Sequence, residues 1–364
     1  MAEILNRAVP LLNQLGVDAR WNIIEAPPAF YKVTKKFHNL LHGRRDDISD
    51  PEYRLFEETT RKNIESLEIT GDIVFIHDPQ PAGLVAQRKD IGKKWIWRCH
   101  IDLSHPDPAV WHFLEPLVLQ YDASVFSALS FSRGLPIPQY LISPSIDPLS
   151  DKNRDLDQKT VDGVLAKYGI VSNKPIITQV SRFDYLKDPV GVIRAFEIVR
   201  SGTDCQLVLA GGTASDDPES EKVLAEVLEQ AAGNPDIHVL LIPPGSDIEI
   251  NALQRASDII LQKSLREGFG LTVSEALWKG RPVVASAVGG IPLQVKNRFT
   301  GLLSHGIEGT AYAIRQLLAN PRYARWLGEN GREHVRQNFL ITRHLRDYML
   351  LFLALDYSED VVRF

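Results

Sequence analysis

The strongest chemical signal in the chain is a pair of acids around a glycine turn. In Arg266-Glu267-Gly268-Phe269-Gly270-Leu271-Thr272-Val273-Ser274-Glu275-Ala276, seven residues separate Glu267 from Glu275, and the segment follows an apolar run and opens a helical pattern. If all the steps between them were helical, the carboxylates would lie ~12 Å apart along the axis, outside the roughly 5 to 9.5 Å of hydrolytic carboxylate pairs. Two-carboxylate hydrolysis is therefore disfavoured. What remains is a turn presenting N–H groups beside a helix N-terminus, which suits hydroxyls or a phosphate. Glu275 has two readings: Thr272-x-x-Glu275 is a capping box that would close the helix start, or the carboxylate meets a ligand. Composition alone favours the cap. Glu267 has no such structural duty and is a fair hydroxyl acceptor.

A second segment, Ser181-Arg182-Phe183-Asp184-Tyr185-Leu186-Lys187-Asp188-Pro189, follows an apolar run at 176–180. Asp188 and Pro189 read as N-cap and first residue of a helix. Arg182 and Lys187 then sit at the carboxyl edge of a sheet, where a wound fold binds its ligand, and two cations there can clamp a diphosphate. The competing reading is a pair of solvated surface charges. In the first half, His77-Asp78-Pro79-Gln80-Pro81 and Trp97-Arg98-Cys99-His100-Ile101-Asp102 place polar groups just past strand ends. Lone histidines there are more often structural. Asp155-Leu156-Asp157 matches the Asp-x-Asp of some metal-diphosphate sites, but before a helix it reads as a cap. Two further glycine loops, Gly211-Gly212 and Gly289-Gly290, each follow a strand.

Positioning these groups takes a large folded chain. Its 364 residues suggest two domains, and 44% hydrophobic and 24% charged residues sit near globular averages. With 41 Lys+Arg against 46 Asp+Glu, the net charge of -5 supplies no bulk cationic field for nucleic acid. Cys99 and Cys205 make no disulfide framework or Cys-x-x-Cys site and read as buried small apolar residues. The apolar run at 349–355 is far short of the ~20 residues of a bilayer span. Glu3 and the lack of a basic leader argue against a signal peptide, so the expected compartment is the cytoplasm.

Short apolar runs at 73–76, 95–97, 176–180, 207–210, 238–242, 259–261 and 282–285 alternate with amphipathic stretches at 109–120, 157–168, 189–199, 219–231, 271–279 and 323–337. That alternation predicts an α/β protein of two Rossmann-like, doubly wound parallel sheets. Pro, Ser and Asp crowd 142–148, which places the domains at 1–147 and 148–338, with 339–364 a terminal helix crossing back to the first. The chain opens inside a helical pattern, Ile4, Leu5, Ala8, Leu11, Leu12 and Leu15, ended by Gly16. A first strand and glycine-rich loop are missing from the pattern of the first domain.

Together these segments resemble the retaining glycosyltransferases of the GT-B fold (family 4 type), in which two such domains face a cleft, and the likeness runs to about residue 355. The paired acids resemble that family's Glu-x7-Glu motif, and Ser181 to Lys187 its phosphate clamp. His77 to Pro81, Trp97 to Asp102 and Gly289-Gly290-Ile291-Pro292-Leu293-Gln294 are most similar to the trehalose synthases of the glycosyltransferring type; many relatives carry an acid after that proline.

The resemblance implies that Arg182 and Lys187 hold a donor diphosphate, Glu275 the ribose hydroxyls, and the Gly268, Phe269, Gly270 and Leu271 amides with Glu267 the glucosyl hydroxyls. It implies that His100 contacts the donor sugar, with Asp78 and Arg98 on the acceptor side. The implied reaction is reversible transfer from a nucleotide-glucose, ADP- or UDP-glucose, to glucose, giving trehalose with retention and no covalent nucleophile. The cleft would close about the junction at 144–148 to keep water out. A retaining trehalose phosphorylase is the neighbouring alternative, and a nucleotide-sugar-binding protein with little turnover a third, because relatives use the missing strand and loop. No tightly bound cofactor is implied; Mg2+ is compatible with the chemistry but no dedicated metal site shows. A homo-oligomer is compatible with the sequence as well.

Overall fold

A computed structural model of the chain describes residues 2–88, 93–212 and 218–356. It divides into two compact units: residues up to Pro144 together with those from His344 onward, and Ser145–Arg343.

The first unit runs α1 (Ala2–Gln14), α2 (Pro28–Leu41), α3 (Asp50–Ser66), β1 (Ile73–His77), β2 (Lys94–Arg98), α4 (Pro108–Val118), β3 (Ala123–Phe126) and β4 (Gln139–Leu141), with short 3-10 helices at Ala82–Gln87 and Leu129–Phe131. Its four strands are parallel in the order β1-β2-β3-β4. An aromatic cluster joins α2, α3 and α4: Phe56 stacks on Phe30 and Phe37 at 5.8 and 5.0 Å, and Phe113 meets it edge-on at 5.5 Å, offset and edge-on geometries that aromatic quadrupoles favour. The other face of the sheet, Ile96, Ala123 and Val125, buries Tyr348, Leu351 and Leu355.

The second unit continues α5 (Gln158–Lys167), β5 (Ile176–Val180), a 3-10 turn (Tyr185–Lys187), α6 (Pro189–Arg200), β6 (Gln206–Gly211), α7 (Pro218–Ala231), β7 (Ile237–Leu241), α8 (Asp247–Ala256), β8 (Ile259–Gln262), α9 (Leu271–Trp278), β9 (Val283–Ser286), α10 (Ile291–Gln294), β10 (Leu302–Ser304), α11 (Gly306–Ala319) and α12 (Pro321–Asn338), after which α13 (Ile341–Asp356) carries the residues that pack on the first sheet. All six strands are parallel in the order β10-β9-β8-β5-β6-β7. Both faces are covered, so the strands read as near-continuous apolar runs. Along β6, Leu207 and Leu209 enter the core beneath α6 and α11, while Val208 and Ala210 enter the opposite core beneath α5 and α8, the period of two that a pleated strand imposes.

The seven apolar runs expected as strands are strands, and Asp188 caps α6 with Pro189 as its first residue. Asp157 is a cap as well, its Oδ1 accepting from the Thr160 amide at 2.7 Å. Helices α2, α3, α8, α10 and α11 and strands β3, β4 and β10 are additional to the sequence-based expectation.

Helix α12 crosses the end of α9 so closely that a Cβ on Gly328 would stand 2.0 Å from the Gly280 carbonyl oxygen. Backbone there has no room to yield, so Gly328→Ala should destabilise the protein by about 1–3 kcal/mol, read as a lowered midpoint of urea unfolding; an unchanged midpoint would show that the two helices are free to separate.

Candidate functional site

Strand order in the second sheet reverses between β5 and β8: from β5 the chain winds outward through β6 and β7, then returns to β8 and winds the other way. The loops leaving these two strands therefore diverge, and open α/β sheets bind ligands at such a point. After β5, Phe183 anchors in the core, and Asp184 caps the 3-10 turn by accepting from the Lys187 amide at 3.2 Å. This presents Lys187 sideways to the loop after β8, where its Nζ donates to Glu267 Oε2 at 2.5 Å. The same oxygen accepts from Gln262 Nε2 at 3.1 Å and Ser264 Oγ at 3.3 Å. Arg182 stands differently: its side chain is 56% exposed, with one 3.4 Å contact to Asp184. The two cations of the expected clamp thus differ: Lys187 is half-buried and committed to Glu267, and the Arg182 guanidinium is largely in solvent.

The glycine turn is fixed from behind. Gly290 N donates to Gly268 O at 2.9 Å. A Cβ on Gly289, whose φ is +54°, would lie 1.6 Å from Glu267 O, so only glycine admits that approach. The buried Gln294 amide donates to Phe269 O at 2.5 Å and accepts from Ser274 Oγ at 2.6 Å, tying the turn to α9. Phe269 itself is buried against Phe339.

The capping reading of Glu275 fails. Gly270, at φ +82°, is the N-cap of α9, so Thr272 lies inside the helix; the turn exits into helix two residues earlier than the motif supposes. Glu275 is buried mid-helix, its Oε2 accepting from Gln254 Nε2 at 3.3 Å. Beyond it, Lys279 Nζ donates to Asn153 Oδ1 at 3.1 Å and to Glu275 O at 3.2 Å, and burial pushes this amine down to about 7 against the pull of the Glu275 charge. Sequence reasoning missed Gln179, Gln254, Gln262, Lys263 and Lys279, and named Gln294 only as part of the segment after Gly290. For Gln179, Gln262 and Lys263 the available signal was polar residues inside or ending apolar strands, as in Ile176-Ile177-Thr178-Gln179 and Ile259-Ile260-Leu261-Gln262-Lys263.

In the first unit, β1 and β2 end side by side, with His77 opposite Arg98. Asp78 turns the chain with a left-handed φ of 67°, and its Oδ1 accepts from the His100 amide at 2.9 Å. Burial raises its carboxyl to about 6. The His77 and His100 rings stack at 5.6 Å, with His77 Nδ1 3.3 Å from His100 Nε2. Arg98 is fully buried, its Nε donating to His100 Nε2 at 3.4 Å and its Nη2 to Ser127 Oγ at 3.3 Å. A guanidinium only donates, so His100 Nε2 is the acceptor and the bond network assigns its proton to Nδ1. Burial, then the Arg98 charge, holds His77 down at about 3 and His100 well below the ordinary histidine value. Arg98, expected on the acceptor side, thus lies buried against the His100 ring. Among the described residues no group of His, Cys, Asp and Glu assembles to hold a metal ion, and no helix is long and apolar enough to cross a membrane.

The family model of "Glycosyl transferases group 1" matches residues 164–334. The chain superposes on the alpha,alpha-trehalose-phosphate synthase (UDP-forming) of Burkholderia vietnamiensis with a TM-score of 0.74 at 15% identity, over 92% of this chain and 86% of that one. It is a hexosyltransferase of the GT-B fold. Residues 1–133 match the model described as "Trehalose synthase, N-terminal domain". The trehalose synthase of Rubrobacter xylanophilus is 43% identical over 365 residues, 98% of this chain and 87% of that protein. The chain belongs to the trehalose synthase family and carries out trehalose-related glycosyl transfer. The trehalose phosphorylase of Pleurotus pulmonarius is 28% identical over 96% of this chain and 54% of that protein.

The charges in the first unit set opposite pH responses. His77 titrates near 3 when folded and at its ordinary 6.5 when unfolded, so stability is lost as pH falls through that window. Asp78 titrates at about 6 when folded against an ordinary 3.8, so acidification between those values returns part of it. Urea unfolding at successive pH values should show a shallower acid loss in His77→Gln and a steeper one in Asp78→Asn; parallel curves for all three proteins would refute the assignment.

Proposed function

We propose that the protein moves a glucosyl group from a nucleotide-glucose, ADP- or UDP-glucose, to glucose, giving trehalose reversibly with retention at the anomeric carbon. One observation carries this reading: Lys187 and Glu267, from loops on either side of the strand-order reversal, meet at 2.5 Å, with the exposed Arg182 on the same loop as Lys187. A cation pair and a carboxylate at one sheet edge match the two ends of a sugar diphosphate. Arg182 and Lys187 take the charge that grows on the leaving diphosphate. Glu267 and the amides at Gly268, Phe269, Gly270 and Leu271 receive the glucosyl hydroxyls, and the buried Glu275 the ribose hydroxyls. The bond from the anomeric carbon to the diphosphate oxygen breaks, the bond to the acceptor oxygen forms, and the acceptor proton passes to the diphosphate. No side chain need form a covalent intermediate. His100, neutral with its Nδ1–H, suits a sugar hydroxyl, and Asp78 supports it through the His100 amide. Both cysteines are buried and unbridged, which supports a cytoplasmic setting.

The likeness to a trehalose phosphorylase favours a second reading, in which inorganic phosphate cleaves trehalose to glucose and glucose 1-phosphate. Incubating the protein with trehalose plus phosphate, and separately with trehalose plus ADP or UDP, separates the two: glucose 1-phosphate formed with phosphate alone would displace the first reading. A matrix of ADP-, UDP- and GDP-glucose against glucose, glucose 6-phosphate and fructose then fixes donor and acceptor. Arg182→Ala, at an exposed position, should leave stability unchanged and lower transfer by about 10²–10³-fold, the scale of losing one preorganised charge donor; transfer at the unaltered rate in Arg182→Ala combined with Lys187→Ala would sink the clamp.

A further inference from the structure

Loops 181–188 and 263–270 are joined by two ion pairs of opposite sense. Lys187 of the first meets Glu267 of the second, and Asp188 of the first meets Lys263 of the second in a short contact. Two neutral links reinforce them. Leu265 N donates to Leu186 O at 2.8 Å, and the buried Gln179 amide accepts from Lys263 N at 3.2 Å while donating to Lys187 O at 3.0 Å.

The pairs differ in what else they serve. On the proposed function, on which this inference rests, the donor claims both partners of the first pair: its diphosphate takes Lys187 and its sugar takes Glu267. That pair loosens at the moment its geometry matters. The second pair is withheld from substrate. The Lys263 side chain is only 7% exposed and Asp188 21%, and the other Asp188 oxygen is engaged with the Gly191 amide at 3.0 Å at the start of α6. Asp188 also sits at φ 48° and ψ 51°, a left-handed conformation that costs a non-glycine residue roughly 1–2 kcal/mol and persists only where its surroundings fix it.

We propose that Lys263 and Asp188 are positioning residues for the transfer: their ion pair keeps the two loops in register, and so keeps Lys187 and Glu267 at their substrate-bound places once the donor has drawn them apart. Neither touches substrate. An ion pair that only stabilised the fold would lower the unfolding midpoint and leave the turnover of the folded enzyme alone. A positioning pair removes transition-state contacts while the nucleotide still binds.

Lys263→Met should therefore lower kcat at least about tenfold with the donor KM within about threefold, and Lys263→Arg should recover kcat to within about threefold of the unaltered enzyme. Asp188→Asn keeps a capping side chain that tolerates the left-handed backbone and removes only the charge, so it provides the same test should Lys263→Met fail to fold. Amine labelling of Lys187, read by peptide mass spectrometry without substrate, should run several-fold faster in Lys263→Met and Asp188→Asn than in the unaltered protein or Lys263→Arg. Equal labelling, or kcat within about twofold in the charge-removing variants, would overturn the proposal. An unaltered enzyme inactive with every nucleotide-glucose would instead overturn the function, with the labelling comparison still deciding whether the pair holds the loops.

Discussion

In the second sheet, β5 and β8 lie side by side although two strands and three α-helices separate them in the chain. Parallel strands must be joined by crossovers, and when successive crossovers run to opposite sides their first turns cannot pack against each other. The gap is then lined by whatever the two turns carry. Here one turn carries Arg182 and Lys187 and the other Glu267 and the glycine run. The charged groups need no special folding device to meet; they follow from the winding. What needs devices is their alignment, and the unit supplies buried amides: Gln179 and Gln294 each span two segments, and Gln262 donates to the Glu267 carboxylate. A primary amide both donates and accepts, so it can join a carbonyl to a hydroxyl or carboxylate without bringing a further charge into a low-dielectric interior.

How much of this could be read from residues alone depended on pattern length and on charge. The central strands β5, β6 and β8 are built around apolar runs and were legible. Strands β4 and β10 have three residues each at sheet edges, too few for a period to show. Helix α8 hides its buried face behind Asn251 and Gln254; the Asn251 amide is spent on the Asp151 and Arg154 carbonyls, both at 2.8 Å. Helix α3 is polar nearly throughout and went unread; its local start signal is the capping box of Ser49 and Glu52, whose carboxylate accepts from the Ser49 amide at 2.8 Å. In the site the ionisable residues were legible because chemistry selects them by type. The amides and Lys263 were not, since their role lies in which two segments they bridge, and that is set by strand order. Glu275 shows the converse: a good local capping motif, overruled because Gly270 begins the helix first.

The first unit solves a related problem with rings. Arg98 brings a permanent charge into the interior next to two histidines, and the cheapest resolution is for both imidazoles to stay neutral. Neutrality then dictates orientation, because a ring with one proton must choose which nitrogen gives and which receives. Arg98 makes that choice for His100. A residue with no access to solvent thereby decides which face of a neighbour is presented as a donor.

A consequence reaches the working range of the enzyme. Because His77 and His100 give up their protons far on the acid side, the residue type usually charged with sensing mild changes of acidity is silent in this cluster around neutrality. The groups displaced toward that range are instead the buried Asp78 carboxyl, raised to about 6, and the Lys279 amine, pressed down to about 7 behind Glu275. Modest changes of acidity would therefore alter the charge of a buried carboxyl and a buried amine while these imidazoles stay neutral.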